Sequence, residues 1–369
     1  MRAPNEVDFW RGMALATIFI NHIPGNFFER FTFRNVSLSD SAELFVFLAG
    51  WSLRFQTNRS AGVPALGLVL RLGSRAMQVY FAQLVITEMA VALLAAAALY
   101  YDASFLLDWH NAAAVFGDPV KTHVGMILLT HQLGYFNILP LYVVLVACAP
   151  LIAICARYAP WLVLPLSAAL YVVTLSTGIN VPSWPLGGSW FLNPMAWQFI
   201  YILGFVMAGK DGLGGFVRRH RKVFFALGLP VIVCGLAVAI THFSPRPDSV
   251  PSPKLFFMFD KTFLSPARLI DLLALAAVFA GSFPFLMRWI PVPVRYCSLL
   301  GRHSLNVFCV GSLLSLTGQI VRFAYGGALL TDAIMVSVGL AIMGIVAWLP
   351  EKRDEFRKAV PNTKSLPAS

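Results

Sequence analysis

The sequence predicts an all-α polytopic membrane protein, a bundle of about ten transmembrane helices with both termini on the cytoplasmic side. Three observations lead there. Of the 369 residues, 58% are hydrophobic and 12% charged, with a mean hydropathy of +0.72. A soluble domain carries roughly 25% charged residues, so too little polar surface exists here to coat a water-soluble globule of this size. The low-charge stretches between charge clusters run about 17–25 residues, the length that crosses a bilayer core. With the N-terminus inside, all but eight of the 28 Lys and Arg fall on the cytoplasmic side, the exceptions being Arg30, Arg34, Lys121, Arg246, Lys254, Lys261, Arg268 and Arg322. That bias is the positive-inside pattern. The net charge of +11 therefore orients the chain in a membrane and does not mark a nucleic-acid surface.

The predicted spans are 9–25, 41–56, 76–100, 138–157, 160–178, 193–209, 223–242, 265–283, 304–322 and 328–349. Glu6, Asp8 and Arg11 lead into an apolar run with no small-residue cleavage site, so the first segment reads as a retained helix rather than a signal peptide. The third hydrophobic region, 66–101, exceeds one span. Its first part, with Arg71 and Arg75, is expected to lie at the cytoplasmic interface. Three long external segments follow at 101–137, 179–192 and 243–264, the last rich in proline and hence irregular. Trp109, Trp184, Trp190 and Trp197 suit an outer interfacial belt. The glycines of 209–215 read as a turn between spans, since no strand precedes them as a nucleotide fingerprint requires. The five cysteines sit in or beside apolar segments without His or carboxylate companions, so they read as small packing residues and no metal site is expected. Residues 1–350 are expected to form one transmembrane domain, and 351–369 a charged, disordered cytoplasmic tail.

Ionisable residues inside a span are costly and so point to function. The first helix carries Asp8, Arg11 and His22. Arg11 and His22 are eleven residues apart, about three turns plus roughly 20°, which puts both on one face about 16 Å apart along the axis. Asp8 precedes Arg11 by three residues and can pair with it. The second span opens with Asp40 and Glu43. Asp40 can cap the helix; Glu43, one turn in, is expected to pair with His22 and support it as a base.

These residues resemble the OpgC-type membrane acyltransferases, relatives of the acyltransferase-3 group, whose first helix carries an Arg, ten residues and a His. The resemblance runs along nearly the whole chain: Asp8 to Gly12, His22 to Asn26, Ser39 to Gly50, Ile138 to Tyr142, Asn193 to Gln198, Asp260 to Thr262, and Leu300 to Leu305. Asp271 stands where many relatives carry a His. The resemblance implies transfer of an acyl group, succinyl or acetyl, from cytoplasmic acyl-CoA to hydroxyls of a periplasmic or extracellular glycan, across a bacterial inner membrane. The activity named for the family is succinylation of osmoregulated periplasmic glucans. Acyl-CoA would be a co-substrate, and no bound cofactor or metal is implied.

On this reading Arg11 meets the donor, and Arg54, Arg71 and Arg75 cluster with it at the inner ends of the first three spans, although these three also serve to set topology. Arg302 and His303, which open the ninth span, contact the donor or cap that helix. His22 is the general base, assisted by Glu43 or Asp40, or else forms an acyl-histidine. Asn137, Lys261 and Arg268 are candidates for acceptor binding or for stabilising the tetrahedral oxyanion. The competing reading from another class is a transporter or flippase for a glycan or lipid precursor, which midplane charges and outer loops would also serve.

Overall fold

In the computed structural model, which describes residues 3–60 and 62–359, α1 (Glu6–Asn21) starts where the Asn5 side chain accepts from the Asp8 amide at 3.0 Å. It ends at His22, before Pro24 and a left-handed Gly25. A 3-10 turn at Phe27–Phe31 and the short α2 (Phe33–Val36) lead to α3 (Ser41–Arg59). There Asp40 and Glu43 form a reciprocal capping box. α4 (Ala65–Tyr100) is one unbroken helix of 36 residues, about 54 Å long at 1.5 Å per residue. That exceeds a hydrocarbon core of about 30 Å, so the part with Arg71 and Arg75 and the span belong to one helix.

The first long connection carries a 3-10 segment at Ser104–Asn111, α5 (Ala113–Gly117) and α6 (Pro119–Ile127). α7 (Ile138–Ala147) and α8 (Ala149–Tyr158) meet at Cys148, and α9 (Pro160–Thr177) stops at a left-handed Gly178. α10 (Pro194–Met207) begins with Asn193 capping the Met195 amide, and a bend of 67° separates it from α11 (Gly212–Arg219). α12 (Arg221–Thr241) pairs with α13 (Pro266–Phe279), which is bent 60° from α14 (Phe283–Trp289). α15 (Pro291–Arg302), α16 (Ser304–Tyr325) and α17 (Leu329–Ala359) complete the chain. No strand occurs among the described residues, so the architecture is all-α.

Each predicted span corresponds to helix. Length and composition, however, give six helices able to cross a membrane, or up to eight if each bent pair is one span, rather than ten. The physical reason is that α1 has only 16 residues and α3 carries Glu43, Arg54 and Arg59, yet both lie largely inside protein. A helix wrapped by other helices has no need of a uniformly apolar surface. Six long apolar helices make this a multi-pass membrane protein. Exposed Leu66, Leu70, Phe81, Leu227 and Val233 form the kind of outer surface such a protein presents to lipid. Residues 351–359, expected in a disordered tail, continue α17, whereas 360–369 lie outside the described residues. Trp190 and Trp197 are not interfacial but buried, at 4% and 0% exposure.

The segment 291–302, expected to be a cytoplasmic connection, is a helix whose most extensive packing is against α1. The contact is reciprocal. A Cβ on Gly12 would overlap the carbonyl oxygen of Cys297, and one on Gly301 would overlap that of Asp8. The same arrangement joins α3 to α10, where Gly50 lies against the Tyr201 carbonyl and Gly204 against that of Phe47. Close backbone approach through small residues is how membrane helices gain dispersion energy without a hydrophobic driving force. Gly12→Ala and Gly50→Ala should each cost about 1–3 kcal/mol through forced helix separation. Gly73→Ala, in the interior of α4 with nothing within 4 Å, should be neutral or stabilising by up to about 1 kcal/mol. Thermal unfolding in detergent distinguishes them, and equal melting shifts for all three would contradict the packing argument.

Candidate functional site

Two cavities lie at opposite ends of α1. The one at the His22 end has a volume of about 850 Å³ and is lined by His22, Asp40, Asn137, Lys261 and Arg268, all singled out in the sequence, together with Arg34, His110 and Tyr135. The other, of about 660 Å³, is lined by Asp8, Arg11, Arg302 and His303, with Ser52, Arg59 and Glu351.

At the His22 end, the local sequence builds a closed charge cluster. Glu43 is fully buried, and Arg268 of α13 is 8% exposed. Arg268 donates from Nε to Glu43 Oε1 at 2.7 Å, and its Nη2 lies 2.5 Å from the same oxygen. The second Glu43 oxygen accepts from the Asp40 amide at 3.1 Å. The Asp40 carboxylate accepts from the Ala42 amide, pairs with Lys261 and stands 3.9 Å from Arg268. Two carboxylates thus meet two cations, the arrangement that offsets the cost of taking charge out of water. Lys261 is held by its own backbone, because Trp197 Nε1 of α10 donates to the carbonyls of Lys261 and Thr262 at 3.0 and 3.2 Å.

This corrects the expected role of Glu43. Both of its oxygens are engaged within the cluster, and no hydrogen bond joins it or Asp40 to His22. Asp271 secures the loop that leads into this cluster. Its Oδ2 accepts from Ser37 Oγ, Ser39 N and Ser39 Oγ at 2.5, 2.8 and 2.6 Å, clamping the loop that delivers Asp40.

His22 is set by a different group. Its ring centroid lies 4.8 Å from Tyr135, which in turn lies 5.1 Å from His110. Its carbonyl accepts from Gln319 Nε2 of α16 at 2.6 Å, and Gln319 Oε1 lies 2.7 Å from His110 Nε2. The amide oxygen is an acceptor only, so His110 carries its proton on Nε2. Burial lowers the pKa of the His110 imidazole from its ordinary value, against the hydrogen bond with Gln319. His22 Nδ1 is buried with no hydrogen-bond partner. The turn beyond His22 is pinned by Arg322, which pairs with the buried Asp332 and donates to the Gly25 carbonyl at 2.8 Å. His110, Tyr135 and Gln319 were missed in the sequence because their contacts span long separations and no local spacing announces them.

At the other end, Arg11 donates to the Leu48 carbonyl at 3.0 Å and to Ser52 Oγ, both on α3, while Asp8 stands 4.0 Å away. The predicted Asp8–Arg11 pairing is present at that distance, but α3 holds the guanidinium more directly. Arg302 pairs with Glu351, and His303 Nε2 lies 3.8 Å from the same carboxylate. Arg54, Arg71 and Arg75 do not line this cavity, although Arg75 is close enough to Arg11 for the two charges to interact. Arg54 stacks 5.1 Å from the Phe205 ring centroid, Arg71 donates to Ser60, and Arg75 donates to Gln78. The arginine that lines the cavity instead is Arg59, five residues beyond Arg54 along α3 and so on a different face. Among the described residues no group of three or more His, Cys, Asp and Glu is arranged to hold a metal ion.

A family model described as OpgC protein matches residues 3–355. No curated protein and no solved structure matches the chain.

The buried cluster predicts an asymmetry. Glu43→Ala leaves the Arg268 charge buried without its partner and should cost about 3–5 kcal/mol. Lys261→Met acts on a side chain that is 30% exposed and should cost about 1 kcal/mol or less. Denaturant unfolding of the two variants measures the difference, and a larger loss at Lys261 would contradict the assignment.

Proposed function

The chain belongs to the OpgC family, and on that premise we propose that it is a membrane-bound O-acyltransferase acting on a glycan. The observation that carries the reading is that one helix presents Arg11 to one cavity and His22 to another at its opposite end. A reaction that takes its donor from one side of a membrane and its acceptor from the other needs such a pair of sites. In this reading residues 1–350 are one transmembrane acyltransferase domain of ten spans, with both termini in the cytoplasm of a bacterium and His22 facing the periplasm across the inner membrane.

The donor is acyl-CoA, succinyl or acetyl, with its anionic nucleotide in the Arg11 cavity beside Arg302 and His303. The acyl end crosses the roughly 16 Å from Arg11 to His22. There a sugar hydroxyl attacks the thioester carbonyl while His22 takes its proton. The new C–O ester bond forms, the C–S bond breaks, and the departing thiolate of coenzyme A is protonated. Lys261 and Asn137 line the same cavity and supply donors for the tetrahedral oxyanion. Arg268 is already committed to Glu43, so its contribution is to hold Asp40 and Lys261 in place. His22 acts without a directly bonded carboxylate; the groups that set its position are Gln319 and Tyr135.

Sealed inside-loaded vesicles supplied with radiolabelled succinyl-CoA or acetyl-CoA test this directly, with label on an external glucan as the readout. His22→Ala should lower the transfer rate by about 10²–10⁴-fold while leaving membrane insertion unchanged. Arg11→Ala should weaken donor use more than acceptor use. Product at near wild-type rate from the His22 variant would overturn the base assignment. Glycan export without label would favour a transporter.

A further inference from the structure

Arg302, at the end of α15, is nine-tenths buried against the Arg11 cavity. Its Nη1 pairs with Glu351 Oε1, but its Nε is buried with no hydrogen-bond partner, the nearest carboxylate oxygen of Asp8 lying 4.0 Å away. Glu351 is equally buried, and its Oε2 also has no partner. An ion pair with an orphaned polar atom on each member is under-satisfied, because each orphan forfeits its hydration without a replacement bond. The guanidinium therefore retains donor capacity, and the carboxylate gains hydration by leaving.

The element that holds Glu351 is suited to let it leave. Pro350 sits inside α17 immediately before it. Proline offers no N–H to the Val346 carbonyl, and such breaks in the ladder are where helices bend. The charge balance of the cavity also matters. Asp8, Glu351, Asp354 and Glu355 line it against Arg11, Arg59 and Arg302, so with Glu351 in place it offers no net attraction to an anion.

We propose that Glu351 is a displaceable internal ligand occupying a phosphate subsite made by Arg302 and His303. A phosphate group takes its place on Nη1 as a charge-assisted acceptor, and the displaced carboxylate recovers the hydration that its orphaned Oε2 lacks. His303, 3.8 Å from the Glu351 oxygen, faces the same position. Glu351 swings outward on Pro350, and the lining loses the net negative charge that opposes an anion. The inference rests on the reading of the donor as a coenzyme A thioester and adds to it a gate that sets donor affinity.

Calorimetric binding of coenzyme A to the full chain in lipid nanodiscs tests it. Glu351→Gln should tighten Kd about tenfold, since the neutral amide no longer competes for the arginine. In an Arg302→Gln/Glu351→Gln double variant the gain should vanish. Glu351→Asp, which retains the charge but shortens its reach, should give a smaller gain in the same direction and serves where the glutamine variant fails to fold. Equal or weaker binding by folded Glu351→Gln and Glu351→Asp overturns the gate while leaving the donor reading intact. Absence of coenzyme A binding by wild type and variants alike overturns the donor reading, and the gate with it.

Discussion

The structure depends on two places where helix backbones touch without side chains between them. Gly12 and Gly301 bring α1 onto α15, and Gly50 and Gly204 bring α3 onto α10. Each is reciprocal, with the glycine of one helix against a carbonyl of the other. Packing of this kind fixes both separation and rotation, because no flexible side chain can adjust to a shift. The rotation of α1 sends Arg11 toward α3 and one cavity and the His22 ring toward the other. Ser315 Oγ, donating to the Phe19 carbonyl at 3.0 Å, and Thr17, within 2.5 Å of Ser41, hold the same rotation further along α1.

Within that frame, charge is handled differently at the two ends. At the His22 end the carboxylates of Asp40 and Glu43 are satisfied by Lys261, Arg268 and backbone amides. A saturated cluster of this kind is rigid, since moving any member leaves another uncompensated. At the Arg11 end, Arg302 and Glu351 each leave an atom without a partner, so the pairing is incomplete and can exchange. Rigidity at one end and exchangeability at the other follow from how completely the buried charges are paired.

Much of the site was legible because its residues act through local sequence. Asp40 and Glu43 form a capping box, readable from their spacing of three. Arg11 and His22 are linked by the periodicity of a single helix. The arginines of 54–75 misled because a cation near a helix end reads the same whether it meets a ligand, stacks on Phe205 or bonds a neighbouring side chain; only the facing helices decide. Glu43 misled for a related reason. A buried carboxylate needs a partner, but that of Glu43 is Arg268, 225 residues away. α15 was overlooked because its polar composition carries no span signal, and its glycine contact with α1 has no counterpart in the local pattern.

The sequence by itself determined the all-α class, the membrane setting, the apolar segments that become helices and the placing of Arg11 and His22 toward opposite ends of the first of them. Hydropathy, charge bias and helical periodicity are local properties, and each can be read without knowing which helices meet. The tertiary structure alone decided that His22 is set by Gln319, Tyr135 and His110 rather than by Glu43. It also decided that Arg59 and Glu351 join the Arg11 cavity while Arg54, Arg71 and Arg75 do not. Those outcomes depend on the rotation and separation of helices distant in the chain, fixed here by contacts between glycines and carbonyls that composition and spacing do not encode.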